Sequence, residues 1–113
     1  MNLNDYGDQA ASTLLGDHQH GDITAQLTAQ VLGLVGESGE VAEKFKKLIR
    51  DKQGVISDED RAEIIKELGD ILWYINAVAR LLGSDITDVA EKNLEKVLSR
   101  KARGATKGSG DNR

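Results

Sequence analysis

The sequence predicts an all-α protein whose protomer is like a four-helix bundle. Apolar residues recur every three or four positions along the long segments, as they do on one face of an amphipathic helix. Proline is absent from all 113 residues, which suits long uninterrupted helices. No stretch alternates between apolar and polar residues for long enough to predict a strand.

The first two helices are predicted over about residues 4–15 and 22–50. The first has a weak apolar pattern, and the polar stretch GDHQHGD breaks it. The second carries a regular apolar series, which comprises Leu27, Val31, Leu34, Val41, Phe45, Leu48 and Ile49. The segment DKQGVIS then turns the chain towards the next helix.

The third and fourth helices have clearer end signals than the first two. Ser57 and Asp60 have the spacing of a capping box at the start of the third helix. Gly83 is its predicted C-cap, and Ser84 or Asp85 starts the fourth helix. We therefore expect one helical domain over residues 1–103, followed by a Gly-rich, disordered tail over residues 104–113.

Composition and charge limit the classes of function. A hydrophobic content of 39% and a charged content of 30% are ordinary for a globular protein, and the absence of cysteine excludes disulfides and thiolate metal sites. The net charge of −4 argues against stable nucleic-acid binding. No apolar run approaches the ~20 residues of a membrane span, and no signal-peptide pattern is present. A cytoplasmic protein without a membrane partner is expected.

Two acidic pairs with the same spacing are the main functional signal. Glu37 and Glu40 lie on the second predicted helix, and Glu67 and Asp70 lie on the third. The i,i+3 spacing places both carboxylates of a pair on one helical face, beside the apolar stripe. One such pair is more often a solvated surface feature, but two facing pairs form a cage of hard oxygen ligands. Such a cage suits Mg²⁺ or Mn²⁺.

Other polar residues border the same helical faces. Gln26, Gln30 and Gly33 share the strip of the second helix, where a glycine is favoured if another group must approach the backbone closely. Tyr74 shares the strip of the third, whereas Trp73 is expected to point away from the acids. On the fourth helix one residue falls within the apolar face and three cations run down its flank: Asn93, then Lys96, Arg100 and Arg103. Packing by the tyrosine and a solvated basic face remain alternative interpretations.

The segments GESGEVAEKFKK and KELGDILWYINAVARLLG resemble the MazG-like nucleotide pyrophosphohydrolases of the all-α NTP pyrophosphatase superfamily. The likeness is greatest to dCTP-pyrophosphatase-like and small phage and bacterial members, and it covers about residues 2–104. Gly36 stands where the E-E-x-x-E signature of the superfamily has its leading glutamate, as in members that keep only E-x-x-E. The number of metal ions bound is therefore open.

The resemblance implies Mg²⁺-dependent hydrolysis of a nucleoside triphosphate to the monophosphate and pyrophosphate, in nucleotide-pool cleaning or regulation. Glu37, Glu40, Glu67 and Asp70 would hold Mg²⁺ (or Mn²⁺), with Glu40 as the candidate acceptor of the proton of water. The candidate phosphate-binding residues are Lys96, Arg100, Asn93, Lys92, Arg103 and Lys44. The candidate base- or sugar-binding residues are Tyr74, Gln26 and Gln30.

The resemblance also implies a homodimer or homotetramer with sites built from more than one subunit. Two alternatives stay open. One is another substrate within the superfamily, phosphoribosyl-ATP or dUTP. The other is a non-catalytic helical module that binds metal or nucleotide, or merely oligomerises; it predicts no Mg²⁺-dependent turnover.

Overall fold

The computed structural model describes residues 1–16, 22–104, 107–108 and 110–111. The described residues form four helices and no strand: α1 (Leu3–Ala11), α2 (Ala25–Lys52), α3 (Asp58–Leu81) and α4 (Ile86–Arg103). The all-α prediction is therefore confirmed. No helix in the described part of the chain is both long and apolar enough to cross a membrane.

The start of α3 has the predicted capping box. The Ser57 hydroxyl accepts from the Asp60 N–H at 3.1 Å, and the Asp60 carboxylate accepts from the Ser57 N–H at 3.0 Å. At the other end Gly83 has a φ of +79°, a left-handed conformation that favours glycine after a helix. Asp85 is the N-cap of α4, because its carboxylate accepts from the Asp88 N–H at 2.7 Å.

The first two helices differ from the sequence prediction at their ends. The α1 helix stops at Ala11 because the next side chains bond back to its last turn: the Thr13 hydroxyl donates to the Ala10 carbonyl at 2.7 Å. The α2 helix starts at Ala25, where the hydroxyl of the N-cap Thr24 accepts from the Leu27 N–H at 3.1 Å. Within the segment between these helices, residues 17–21 lie outside the described residues.

The helical hairpin of α2 and α3 is the centre of the fold. The α1 helix packs on α3 and α4, and α4 packs on α1 and the end of α3; within the described helices, α2 and α4 are not in contact. The core cluster consists of Leu14, Leu27, Ala77 and Leu81, with Trp73 and Val78 packed against it. The fourth helix therefore lies to one side of the hairpin instead of closing it.

Polar side chains on one face of α3 fasten α1 to the hairpin. Asn76 is only 1% exposed and donates from Nδ2 to the Gly7 carbonyl at 3.1 Å. A Cβ at position 7 would lie 3.1 Å from the Asn76 Oδ1 atom, so glycine lets the two helices approach closely. Two further hydrogen bonds join α3 to the α1 segment. Trp73 Nε1 donates to Thr13 Oγ1 at 2.8 Å, and Arg80 donates to the Asp8 carboxylate at 2.8 Å.

Large apolar side chains remain exposed on the protomer outside this core. On the α2–α3 hairpin they include Val31, Leu32, Val35, Ile65 and Leu68. On α4 they include Leu94, Val97 and Leu98. Contiguous exposed apolar surface of this kind is typical of faces that another molecule covers.

The close approach expected at Gly33 is made by Tyr74 of α3. A Cβ built at position 33 would lie 2.2 Å from the Tyr74 Cε1 atom and 2.5 Å from its Cζ atom. Those distances are far inside van der Waals contact, so any larger residue must displace the tyrosine ring. Glycine at this position thus sets the spacing of the two helices and the place of the ring between them.

We expect Gly33→Ala to destabilise the protein by about 1–3 kcal/mol, because overpacking outweighs the gain in helix propensity. The matched control is Gly39→Ala, also within α2, where a Cβ meets no described atom within 4 Å. That control should stabilise the protein by about 0.5–1 kcal/mol. Urea unfolding followed by circular dichroism measures both values, and equal effects of the two changes would contradict the proposed contact.

Candidate metal centre

Three carboxylates from the two hairpin helices converge on one point. Glu37 comes from α2, and Glu67 and Asp70 come from α3. One oxygen from each lies within 4.8 Å of the other two. The i,i+3 spacing on α3 places two of the three side by side, and the packing of the hairpin adds the third.

The Glu37 and Glu67 carboxylates are shielded from solvent on one side. Oε2 of each is buried and has no hydrogen-bond partner among the described residues. The Lys44 Nζ atom is 4.0 Å from Oε1 of Glu67, so a cation already borders the cluster. Buried carboxylate oxygens without donors are costly unless a proton or a cation lies between them. Hard oxygen ligands at this spacing fit a divalent ion such as Mg²⁺.

The raised pKa of one carboxylate also reflects the lack of a compensating positive charge in the cluster. Burial raises the pKa of Glu37 from its ordinary value of 4.5 to about 7, helped by a hydrogen bond to Glu67. The negative charges of Glu40, Asp70 and Glu67 raise the pKa further. In the absence of a metal ion, a proton held between Glu37 and Glu67 relieves part of this repulsion.

Glu40 lies beside the cluster but not within it. Its side chain is exposed one turn along α2, near enough for its charge to act on Glu37. Its carboxylate is not among the oxygens that lie within 4.8 Å of one another. At Gly36 a Cβ would meet no described atom within 4 Å, so the departure from the family signature leaves open space beside Glu37.

An open cavity with a volume of 390 Å³ adjoins the acids and is lined by Glu37, Asp70, Trp73 and Tyr74. The two aromatic rings meet edge to face, with centroids 5.1 Å apart and planes at 85°. Tyr6 of α1 lies near this cavity, since burial and the charge of Asp70 raise its pKa. An acidic patch and an aromatic wall therefore share one cavity.

The expectation that Trp73 points away from the acids is wrong. Its ring lines the cavity because it leans across α3 towards α1, where its Nε1 atom donates to Thr13. Trp73 lies three residues after Asp70, and this i,i+3 spacing could have placed the two side chains on one face of the helix. Thr13 was also missed, since it lies beyond the last turn of a weakly patterned helix.

The two glutamines of α2 do not line this cavity. Gln26 donates from Nε2 to the Leu15 carbonyl at 2.7 Å and so ties the end of the α1 segment to α2. Gln30 is half-buried on the same helix. Their predicted role in base recognition stays a prediction, whereas Tyr74 does stand next to the acids.

The cations of α4 form a separate surface. This surface includes a cavity whose lining residues are Lys92, Glu95, Lys96, Ser99, Arg100, Arg103 and the tail residue Asp111. The Asp111 carboxylate lies 3.1 Å from Lys96, and Arg100, only 9% exposed, donates to the Asp111 carbonyl at 2.8 Å. Asn93, expected on a buried face, is exposed. The prediction of tail disorder stays a prediction, since several tail residues are outside the described set.

Within the protomer α4 contacts α3 but not α2 among the described residues, and the α4 cations line a cavity of their own. The other predicted phosphate-binding cation, Lys44, does reach the cluster through Glu67. The proposed acidic and basic parts of the site thus line separate cavities in one copy of the chain.

The fold and the acidic cluster define a helical domain suited to holding a divalent ion between two helices. Residues 25–104 match the MazG nucleotide pyrophosphohydrolase domain, and the chain belongs to that family. The match spans α2, α3 and α4 and leaves α1 outside. The resemblance inferred from the acidic motifs is therefore confirmed.

The chain is also similar to a phage protein. It is 49% identical over 87 residues to the Gene 37 protein of Mycobacterium phage L5. The aligned region covers 77% of this chain and 76% of the relative. No solved structure matches the chain.

We expect Glu37→Gln to remove a pH dependence of stability from the metal-free protein. The pKa of Glu37 is about 7 in the folded state against an ordinary 4.5, so the folded state binds this proton more tightly. That stabilisation is complete below about pH 4.5 and is lost as the pH rises through about 7. The parent should therefore lose stability relative to the variant between about pH 5 and pH 8.

Thermal unfolding in EDTA over this range measures the difference in Tm between parent and variant. Glu91→Gln removes an exposed carboxylate from α4 and controls for the change in net charge. A difference in Tm between parent and Glu37→Gln that stays constant with pH would contradict the proton-sharing cluster.

Proposed function

We propose that this protein is a Mg²⁺-dependent nucleoside triphosphate pyrophosphohydrolase that acts on the cytoplasmic nucleotide pool. The reaction converts a (d)NTP and water to a (d)NMP and pyrophosphate. The observation that supports it is the convergence of Glu37, Glu67 and Asp70, with two buried oxygens that lack donors, in a member of this family. Carboxylates this close repel one another, and a cation bound between them would offset that repulsion.

Each residue of the cluster has a task in this reaction. Glu37, Glu67 and Asp70 would hold Mg²⁺, which when bound lowers the pKa of water and neutralises phosphate charge. Glu40, exposed beside them and outside the tight group, would accept the proton of the attacking water. The water oxygen bonds to the α-phosphorus, the bond to the α–β bridging oxygen breaks, and pyrophosphate leaves.

Charge on the phosphate chain requires cations besides the metal ion. Lys44 is in place on α2, 4.0 Å from Glu67. Lys96 and Arg100, with Lys92, Arg103 and Asn93 beside them, lie on α4, away from the α2 acids of their own copy. In our proposal a second copy supplies this helix, so the active assembly is a homo-oligomer.

The exposed apolar surface supports that assembly. Leu94, Val97 and Leu98 of α4 are 40–54% exposed, and they share their helix with the cations. Docking this stripe on the exposed apolar residues of a partner's hairpin would bury both surfaces together. Tyr74, Gln26 and Gln30 remain the proposed contacts for the base and sugar.

Glu67→Gln and Asp70→Asn should each lower Mg²⁺-dependent release of pyrophosphate by about 100-fold or more, because loss of a metal ligand costs at least as much as loss of its supporting groups. Glu59→Gln, in the first turn of α3, is the matched control and should retain activity. A panel of canonical and modified nucleotides, with phosphate and pyrophosphate measured separately, tests the proposal. Turnover absent for every nucleotide would favour a non-catalytic module, and selective turnover of phosphoribosyl-ATP or dUTP would redefine the substrate.

A subunit-mixing experiment tests the shared site. Arg100→Ala should raise the KM by about tenfold, since a lost charge-assisted phosphate contact is worth ~1.5–3 kcal/mol. Co-assembly of Arg100→Ala with Glu67→Gln should recover activity at low substrate, because some sites would then combine an intact acidic cluster with an intact basic helix. Activity no higher than the average of the separate variants would show that each site is made by one chain.

A further inference from the structure

The aromatic wall of the acidic cavity includes Trp73, the single tryptophan of the chain. Part of its ring packs against the core cluster of Leu14, Leu27, Ala77 and Leu81, while the residue also lines the open cavity. The ring is therefore supported from behind and presented to the space beside Glu37 and Asp70.

The orientation of this ring depends on the N-terminal segment. Trp73 Nε1 donates to Thr13 Oγ1 at 2.8 Å, and Thr13 is itself fixed by its bond to the Ala10 carbonyl at 2.7 Å. The buried Asn76 side chain, bonded to Gly7 three residues further along α3, holds the same helix in place. Residues 1–24 lie outside the matched family domain, so this support comes from a segment that the domain match does not include.

We propose that Trp73, oriented by Thr13, is the wall on which the base of a nucleotide substrate stacks, and that α1 thereby acts as a positioning element of the site. This proposal rests on the proposed function, and it assigns the residue that binds the base of the substrate. A nucleoside triphosphate has an anionic end and a flat aromatic end. The 390 Å³ cavity is lined both by Glu37 and Asp70, which would face a metal-bound phosphate, and by the Trp73–Tyr74 pair.

The geometry of the aromatic pair favours stacking on the tryptophan. The rings of Trp73 and Tyr74 stand at 85° to each other, so the two rings do not cover each other face to face. Tyr74 is held against Gly33 of α2, whereas Trp73 is anchored only through its indole nitrogen and its core-facing side. Flat bases stack on such indole faces with little regard to sequence, and metal contacts would hold the phosphates.

Intrinsic fluorescence tests the proposal on the full wild-type chain, since all tryptophan emission comes from this residue. The protein is titrated with Mg²⁺ and an α,β-imido nucleoside triphosphate, which cannot be cleaved at the reacting bond. A parallel titration uses Mg²⁺ with inorganic tripolyphosphate, which offers the same anionic groups and no base. The nucleotide should quench the emission strongly, and tripolyphosphate should bind with little quenching.

Three variants separate stacking from structural support. Trp73→Leu should weaken nucleotide binding roughly tenfold and leave tripolyphosphate binding unchanged, and Trp73→Phe should restore most of the loss. Thr13→Val keeps the side-chain shape but removes the bond to the indole. It should raise the KM severalfold, with kcat nearly unchanged, and lower the fluorescence anisotropy of Trp73 as the ring gains freedom.

The outcomes distinguish this proposal from the one on which it rests. Pyrophosphate release with equal quenching by nucleotide and tripolyphosphate would keep the activity and overturn the stacking role. Equal loss of nucleotide and tripolyphosphate binding in Trp73→Leu would assign the residue to structural support alone. Absence of nucleotide binding and of turnover in the wild-type chain would overturn both proposals.

Discussion

The mutual repulsion of Glu37, Glu67 and Asp70 is the constraint on which the centre of the structure depends. Carboxylates within 4.8 Å of one another disfavour ionisation together, and the pKa of Glu37 is raised to about 7 as a result of its burial and these neighbours. A hairpin that only needed to pack would place apolar side chains at this position instead. The cluster is therefore a cost to the fold, and a cation bound there would reduce that cost and link metal binding to stability.

The hairpin keeps this cluster in place by close approach of its helices. Gly33 admits the Tyr74 ring at a point where any Cβ would overlap it, and Glu37 follows one turn later on the same helix. The α1 helix extends this support through Asn76 and Trp73, whose bonds to Gly7 and Thr13 set its position on α3. Packing and polar bonds outside the cluster thus decide the shape of the cavity next to it.

The sequence predicted the features that depend on contacts between residues close together in the chain. The capping box of Ser57 and Asp60 and the start of α4 at Asp85 follow from contacts between residues three apart, which the sequence displays directly. In the same way, the i,i+3 spacing of each acidic pair predicted that its two carboxylates share one face of a helix. The side on which Trp73 lies depends on α1, a helix whose apolar pattern is weak, so helical periodicity alone placed it on the wrong side. The exposed position of Asn93 likewise depends on how α4 packs against the other helices.

The separation of charge between helices connects the site to assembly. The acids lie on α2 and α3, while two cations of α4, Lys96 and Arg100, line a separate cavity and pair with Asp111 of the tail. In the proposed function, a triphosphate carries more negative charge than one metal ion and Lys44 can balance, so the site would also need the basic helix. The apolar stripe that accompanies those cations is exposed in the protomer. Burial of that stripe by a second copy would bring acids and cations together, and assembly would then be the step that completes the active site.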